Sequence, residues 1–481
     1  MPANVTDSTS HDPFQYRIAF GCWINDMRNS ALPLQNWPAP HCDDRTVEGV
    51  VRTFDVIREA GYQFLDTFGL YATGEYPPDI VSAFGDEERN RQLDTIFREA
   101  ADRELRMSLP LGLMTWGYDR IIREDPSVRG LDQDGNPHPH AMCGAKEKSW
   151  SYVEKIIDTM FQRHDFGAVH LESADLGYCM CPECTGQFGV VGYNARINAR
   201  AADYIKSRHP DVVVYSCPIS WALFTIDETG QQPKLAGEDL AHIVELSDHI
   251  DIFMDQGHHG RLISWEDVPR LNCAYGTSGG LWSYHGSRQD RLSYFLAYPM
   301  RAANHLKDHH AHGTRACLYY QGPMVNPAVE VNSSVAGRIM CDPGRDAGDA
   351  LEEVIEVYYR PRSADVRRKL ADVFIAVEEA YFGQWKAEAF HQTWRLEMPG
   401  EFIVGNLFGT QPDAATFLAE PYLDADARVA CGAGIRAALA ELQPLIGQAE
   451  DDGRIERMIR ALSVMHHLLA TVMMARGEPW C

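Results

Sequence analysis

The sequence lacks any long hydrophobic run. No stretch approaches the ~20 consecutive apolar residues that a membrane-spanning helix needs, and the opening MPANVTDSTSHDPFQ is polar, with no apolar core of the kind a secretory signal carries. The expectation is a cytoplasmic protein with no membrane partner. Basic charge is also scarce: 44 Lys and Arg stand against 68 Asp and Glu, a formal net charge of −24. So acidic a surface repels phosphate backbones and anionic lipids, which argues against nucleic-acid and membrane-surface roles and leaves neutral ligands such as sugars open. Internal repeats and low-complexity tracts are missing too. No Gly-x-Gly-x-x-Gly follows the first strand-like run, which counts against dinucleotide binding.

What remains is a chain of globular composition, 481 residues with 45% hydrophobic and 23% charged side chains. Its length suits one barrel of ~250–350 residues plus a second module. Short apolar runs alternate with amphipathic stretches over the first 325 residues. Eight strands are predicted: Tyr16 to Trp23, Tyr62 to Thr67, Arg106 to Leu113, Gly167 to Glu172, Val212 to Cys217, His249 to Asp255, Leu271 to Tyr275 and Arg315 to Gln321. Helical patterns lie between them, over Thr46 to Ala60, Asp86 to Glu104, Lys148 to Arg163, Tyr193 to Ser207, Gly237 to Leu246 and Ser287 to Lys307. Repeated strand–helix units predict an α/β fold, a closed (β/α)8 TIM barrel over 1–325. From 326 to 481 the pattern is mainly α-helical, over Ala347 to Tyr359, Ala364 to Phe382, Ala425 to Glu450 and Gly453 to Arg476, with a long loop at Arg395 to Leu423. This helical C-terminal domain is expected to pack on the barrel, and its outer faces could join two copies into a homo-oligomer.

Twelve cysteines scattered over such a length do not form a disulfide framework. Cys22, Cys217, Cys273 and Cys317 lie in apolar, strand-like runs and read as buried free thiols. The segment GAVHLESADLGYCMCPEC, Gly167 to Cys184, is different. Its strand ends on Glu172, and seven residues later Cys179, Cys181 and Cys184 form Cys-x-Cys-x-x-Cys. Three thiolates at that spacing call for a soft metal ion, and tetrahedral zinc needs a fourth ligand. Cys143, at the end of the long loop after the third strand, is favoured, with His138 and His140 as alternatives. In a barrel the loops after strands three and four are neighbours. Four thiolates leave zinc no open position, so the metal would be structural.

A strand ending in Glu, followed by a loop carrying Cys-x-Cys-x-x-Cys, resembles glycoside hydrolase family 42, the barrel β-galactosidases. The resemblance implies that Glu172 is the general acid/base and that Cys143, Cys179, Cys181 and Cys184 hold a structural zinc. The chain departs from that family in having Leu171 where Asn is usual, and in a strand-seven region, PRLNCAYGTSGG, without a nucleophilic glutamate. The run from Leu131 to Ser173 is similar to a pattern in uncharacterised glycosidase-like barrels. VNSSVAGRIMCDPGRDAGDALEEVIEVYYRP resembles the post-barrel segment of α-glucuronidase-like and family 20-like enzymes. Together these imply a divergent glycoside hydrolase of the clan-A barrel type.

Glycoside hydrolysis usually needs two carboxylates facing one bond. Glu172, at a barrel strand end, is the expected proton donor. Asp255, closing HIDIFMD on strand six, is the expected second catalytic carboxylate; its bland alternative is a hydrogen-bonding role. Asp66, ending strand two, and Asp175 are read as substrate-binding, with a reacting role as the alternative for each and a loop cap as a further one for Asp175. Trp23, Trp116, Trp221, Trp282 and Tyr320 gather at strand ends, where indole and phenol rings would stack on the C–H faces of sugar rings. His258, His259 and Gln321 would supply hydrogen bonds. The histidine-rich KDHHAHG precedes strand eight, on the face that carries stability, and is not read as a metal site. The expected activity is hydrolysis of a glycosidic bond in a small carbohydrate. Two other classes remain: a non-catalytic carbohydrate-binding barrel, and a metal-dependent lyase or isomerase using Asp255, His258 and His259.

Overall fold

The computed structural model describes residues 12–20, 44–66, 87–115, 117–174, 176–218, 233–255, 261–280, 295–321, 324, 326–383, 425–475 and 477–479. Eight parallel strands close into a barrel: β1 (Tyr16–Phe20), β2 (Phe64–Asp66), β3 (Arg106–Leu113), β6 (Phe166–Ser173), β7 (Val213–Cys217), β8 (Ile252–Asp255), β9 (Ala274–Gly280) and β10 (Ala316–Tyr320). Phe20 pairs with Asp66 on one side and Tyr320 on the other, which completes the ring. The loop after β3 carries an antiparallel hairpin, β4 (Arg129–Leu131) with β5 (Pro137–Met142), turned at Asp132, whose Oδ1 accepts from the Asp134 and Asn136 amides. All eight predicted barrel strands overlap observed ones; the hairpin was not predicted.

The helices that wrap the barrel are α1 (Asp44–Ala60), α2 (Glu87–Ala101), the short α3 (Asp119–Glu124), α4 (Glu147–Arg163), α5 (Gly189–Arg208), α6 (Gly237–Leu246), α7 (Pro299–Ala311) and α8 (Pro327–Cys341). In α4, Trp150, Val153, Ile156, Ile157 and Met160 recur at helical spacing and form one buried stripe. Glu147 and Arg163 sit at the helix ends that suit their charge. The predicted helix over Ser287 to Lys307 is observed as α7, beginning at Pro299. Helix α8 packs between α1 and α7, in the place of the barrel's eighth helix. It escaped prediction because it is buried all round, Val331, Asn332, Ser334 and Val335 alike, and so shows no amphipathic period.

Among the described residues four helices follow: α9 (Ala347–Tyr359), α10 (Ala364–Phe382), α11 (Ala425–Leu442) and α12 (Asp452–Ala475). They share one continuous apolar core with the barrel. Polar clamps reinforce that packing. Arg454 of α12 meets Glu330 of α8 through two 2.7 Å hydrogen bonds. Glu378 of α10 accepts from the Met300 and Arg301 amides at the start of α7, both at 2.8 Å. The Met465 thioether accepts from Phe295 N and the Tyr381 hydroxyl. Among the described residues, no helix is long and apolar enough to cross a membrane.

Candidate functional site at the barrel mouth

Glu172 lies at the C-terminal end of β6, the fourth barrel strand, in register with Gly112 of β3 and Cys217 of β7. Its side chain retains 16% exposure. The chain turns sharply just beyond it, with Ala174 in the left-handed region at φ 69°, a conformation that costs a non-glycine residue about 1 kcal/mol.

Two residues earlier on the same strand, and so on the same face, stands His170. Its Nδ1 lies 2.9 Å from Asp66 Oδ2 and its Nε2 lies 3.8 Å from Glu172 Oε2. Asp66 belongs to β2, so this contact passes over β3, which lies between the two strands. The Tyr215 hydroxyl of β7 also donates to Asp66 Oδ2, at 2.5 Å, and lies 2.8 Å from Ser108 Oγ of β3. The Tyr215 ring stacks on His170, 5.0 Å between centroids. Burial opposes a charged His170, but Cys217 and Asp66 more than offset it and hold the imidazolium well above its usual range. Burial, reinforced by Asp66, keeps the Tyr215 phenol protonated and therefore a donor. Sequence reasoning placed Asp66 at this mouth but missed His170, Tyr215 and Ser108. The available signal was strand alternation, since His170 and Glu172 are two residues apart.

Asp255 ends β8 and is 2% exposed. Both of its oxygens accept from Leu262 N, at 2.9 and 3.0 Å, and Oδ2 also accepts from Ile263 N at 3.0 Å and the Tyr275 hydroxyl at 2.7 Å. This is the hydrogen-bonding arrangement of a loop anchor. Strand β9, the seventh of the barrel, carries no acid from Ala274 to Gly280.

In the loops after β3 and β6, Cys143, Cys179, Cys181 and Cys184 converge, all buried, with their sulfurs within 4.8 Å of one another. Cys143 Sγ is 3.8 Å from Cys181 Sγ and 3.7 Å from Cys184 Sγ. Tetrahedral zinc with bonds of about 2.3 Å requires sulfurs about 3.8 Å apart, so the donor set fits that ion. Hydrogen bonds from Cys143 and Cys184 pull the Cys179 thiol far down, while burial pushes Cys181 up to about 12. The loop is docked on the hairpin, with Met180 N donating to Leu131 O and Leu131 N to Cys179 Sγ. Gly130 permits this contact, because a Cβ there would lie 2.9 Å from Cys179 Cβ. Gly177 combines φ +93° with His138 Nε2 only 2.5 Å from where a Cβ would stand. His138 and His140 have other duties: His138 Nδ1 accepts from the His140 and Ala141 amides, and His140 Nδ1 lies 2.6 Å from Asp119 Oδ1.

Tyr320 is buried and sets its ring edge-on to Phe20, 5.1 Å between centroids. Gln321 is buried, its backbone N donating to Phe20 O. Within KDHHAHG, His309 pairs with Thr314 and His312 stacks on Trp265, which are packing contacts. Trp23, Trp116, Asp175, Trp221, His258, His259, Trp282 and Cys22 lie outside the described residues.

No protein-family description and no curated protein matches this chain. Solved structures similar to it include a mutant O-GlcNAc hydrolase of Thermobaculum terrenum, with TM-score 0.49 and 9% identity over 97% of this chain and 97% of that one. A Flavobacterium johnsoniae chitobiase gives TM-score 0.42 and 10% identity over 97% of this chain and 73% of its own. A β-N-acetylhexosaminidase of Bacteroides fragilis gives TM-score 0.39 and 12% identity over 68% and 65%.

Proposed function

We propose that the protein hydrolyses a glycosidic bond in a small glycoside or oligosaccharide, with Glu172 as the carboxylate that exchanges a proton with the reacting oxygens. The observation that carries this reading is exposure at the barrel mouth. Of the strand-end acids, Asp66 is 0% and Asp255 2% exposed, whereas the Glu172 side chain keeps 16%. Catalytic groups of such barrels come from the C-terminal strand ends, and general acid–base catalysis needs a carboxylate within reach of substrate. Glu172→Gln keeps the shape and removes the proton exchange. A panel of activated aryl glycosides should show at least about a 100-fold loss of kcat/KM in that variant, and unchanged hydrolysis contradicts the reading.

Asp255 was the expected second carboxylate. Its lone pairs already hold Leu262, Ile263 and Tyr275, so in this reading it anchors the loop after β8 and takes no part in proton transfer. That same observation favours a second reading, carbohydrate binding without turnover, which predicts thermal stabilisation by a sugar and no release of aglycone.

The four cysteines are assigned to a structural zinc. When bound, the ion supplies no reaction chemistry, since a full thiolate shell leaves no open position. The residues around it do the positioning: the cysteine loop and the hairpin are tied together on the side of the mouth where the chain leaves Glu172.

A further inference from the structure

We propose that His170, fixed by Asp66, is a positioning residue that keeps Glu172 ionised, so that Glu172 enters the reaction as a proton acceptor. The inference rests on the assignment of Glu172 above and reverses the expectation that it is the proton donor.

The geometry is that of one imidazolium between two carboxylates. Nδ1–H donates to Asp66 at 2.9 Å, and Nε2 faces Glu172 at 3.8 Å. The carboxylate facing Nε2 is that of Glu172 at the mouth. His170 is held from every side. Phe20 of β1 lies edge-on at 6.0 Å. Asp66 comes from β2, and Ser108 of β3 and Tyr215 of β7 secure each other by hydrogen bond. Cys217 of β7 also faces it, and burial pushes that thiol up. Tyr215 is a protonated phenol for the same reason. Among the described groups facing His170, the acids are Asp66 and Glu172, one on each ring nitrogen. An opposite charge at this range favours the ionised carboxyl.

The test is titration of the Glu172 side-chain carboxyl by 13C NMR in protein labelled at glutamate carboxyls, with the resonance assigned by its loss in Glu172→Gln. In the unaltered protein Glu172 should titrate below the ordinary glutamate value of about 4.3. In His170→Asn, and separately in Asp66→Asn, its midpoint should rise by roughly one pH unit or more. If glycosides are turned over, the acidic limb of kcat/KM should move by the same amount, a shift that a merely structural role for His170 would not produce. A midpoint near 6 or above in the unaltered protein overturns the proposal, and so does an unmoved midpoint in a folded variant. Because the titration needs no substrate, absence of glycoside hydrolysis would defeat the functional reading and leave this inference to be decided separately.

Discussion

Cys143 and Cys184 bring their sulfurs to 3.7 Å although 41 residues separate them in sequence. One ends the loop after the third barrel strand and the other lies in the loop after the fourth. With Cys179 and Cys181 they join the two loops, and each consequence of that junction can be measured.

The first concerns the metal. Purified protein should hold about one zinc per chain, bound by four thiolates. Cys184→Ser should lose it and lower stability by about 3 kcal/mol or more, since metal-binding free energy at such sites is folding free energy. Elemental analysis and thermal melts check this. A metal-free protein with an unchanged melt would show that the four thiols pack without an ion.

The second concerns Gly177. Gly177→Ala adds a methyl group where φ is +93° and His138 Nε2 stands 2.5 Å away. The variant should be destabilised by about 1–3 kcal/mol and should bind zinc more weakly, since the displaced loop carries three of the four ligands. Denaturant titration with and without added zinc reads both effects.

A third prediction concerns pH. Burial raises the Glu378 carboxyl to about 7, against the lowering pull of the Met300 and Arg301 amides and the Arg301 charge. A carboxyl whose folded pKa exceeds its unfolded one binds protons more tightly when folded. Its contribution to stability is full below the unfolded value of about 4.3 and is lost as pH rises through the folded value near 7. This one group should remove up to about 3 kcal/mol over that window. Urea titrations at several pH values should show that Glu378→Gln flattens the slope.

A fourth concerns the clamp between α8 and α12. Glu330 and Arg454 have side-chain exposures of 5% and 19%. Replacing Arg454 alone with Met strands a buried carboxylate and should cost about 3 kcal/mol, whereas Glu330→Gln with Arg454→Met should cost clearly less than the single change. A double-mutant cycle in denaturant measures the difference, and equal costs would remove the buried pair from the account of how the helices hold the barrel.

The barrel was legible in the sequence because its strands are short apolar runs separated by helices with a buried stripe, as α4 shows. Glu172 and the cysteines were legible because each sits in a local pattern. Three features were not. Helix α8 is buried on all sides and has no polar face to betray its period. The β4–β5 hairpin is short and mixes polar with apolar residues. The pairing of Asp66 with His170 spans 104 positions, and only the packing of β2 and β6 on either side of β3 brings them together. Asp255 shows the reverse limit. Its position at a strand end was readable, but the amides of Leu262 and Ile263 that occupy its oxygens were not, because they come from the folded path of the following loop.

The most direct test of the central claim is the rate of aryl-glycoside hydrolysis by Glu172→Gln relative to the unaltered protein, with zinc content and melting temperature matched. The expected result is a fall in kcat/KM of at least about 100-fold with the fold and metal retained. Equal rates in the two proteins would show that Glu172 is not the carboxylate that does the chemistry.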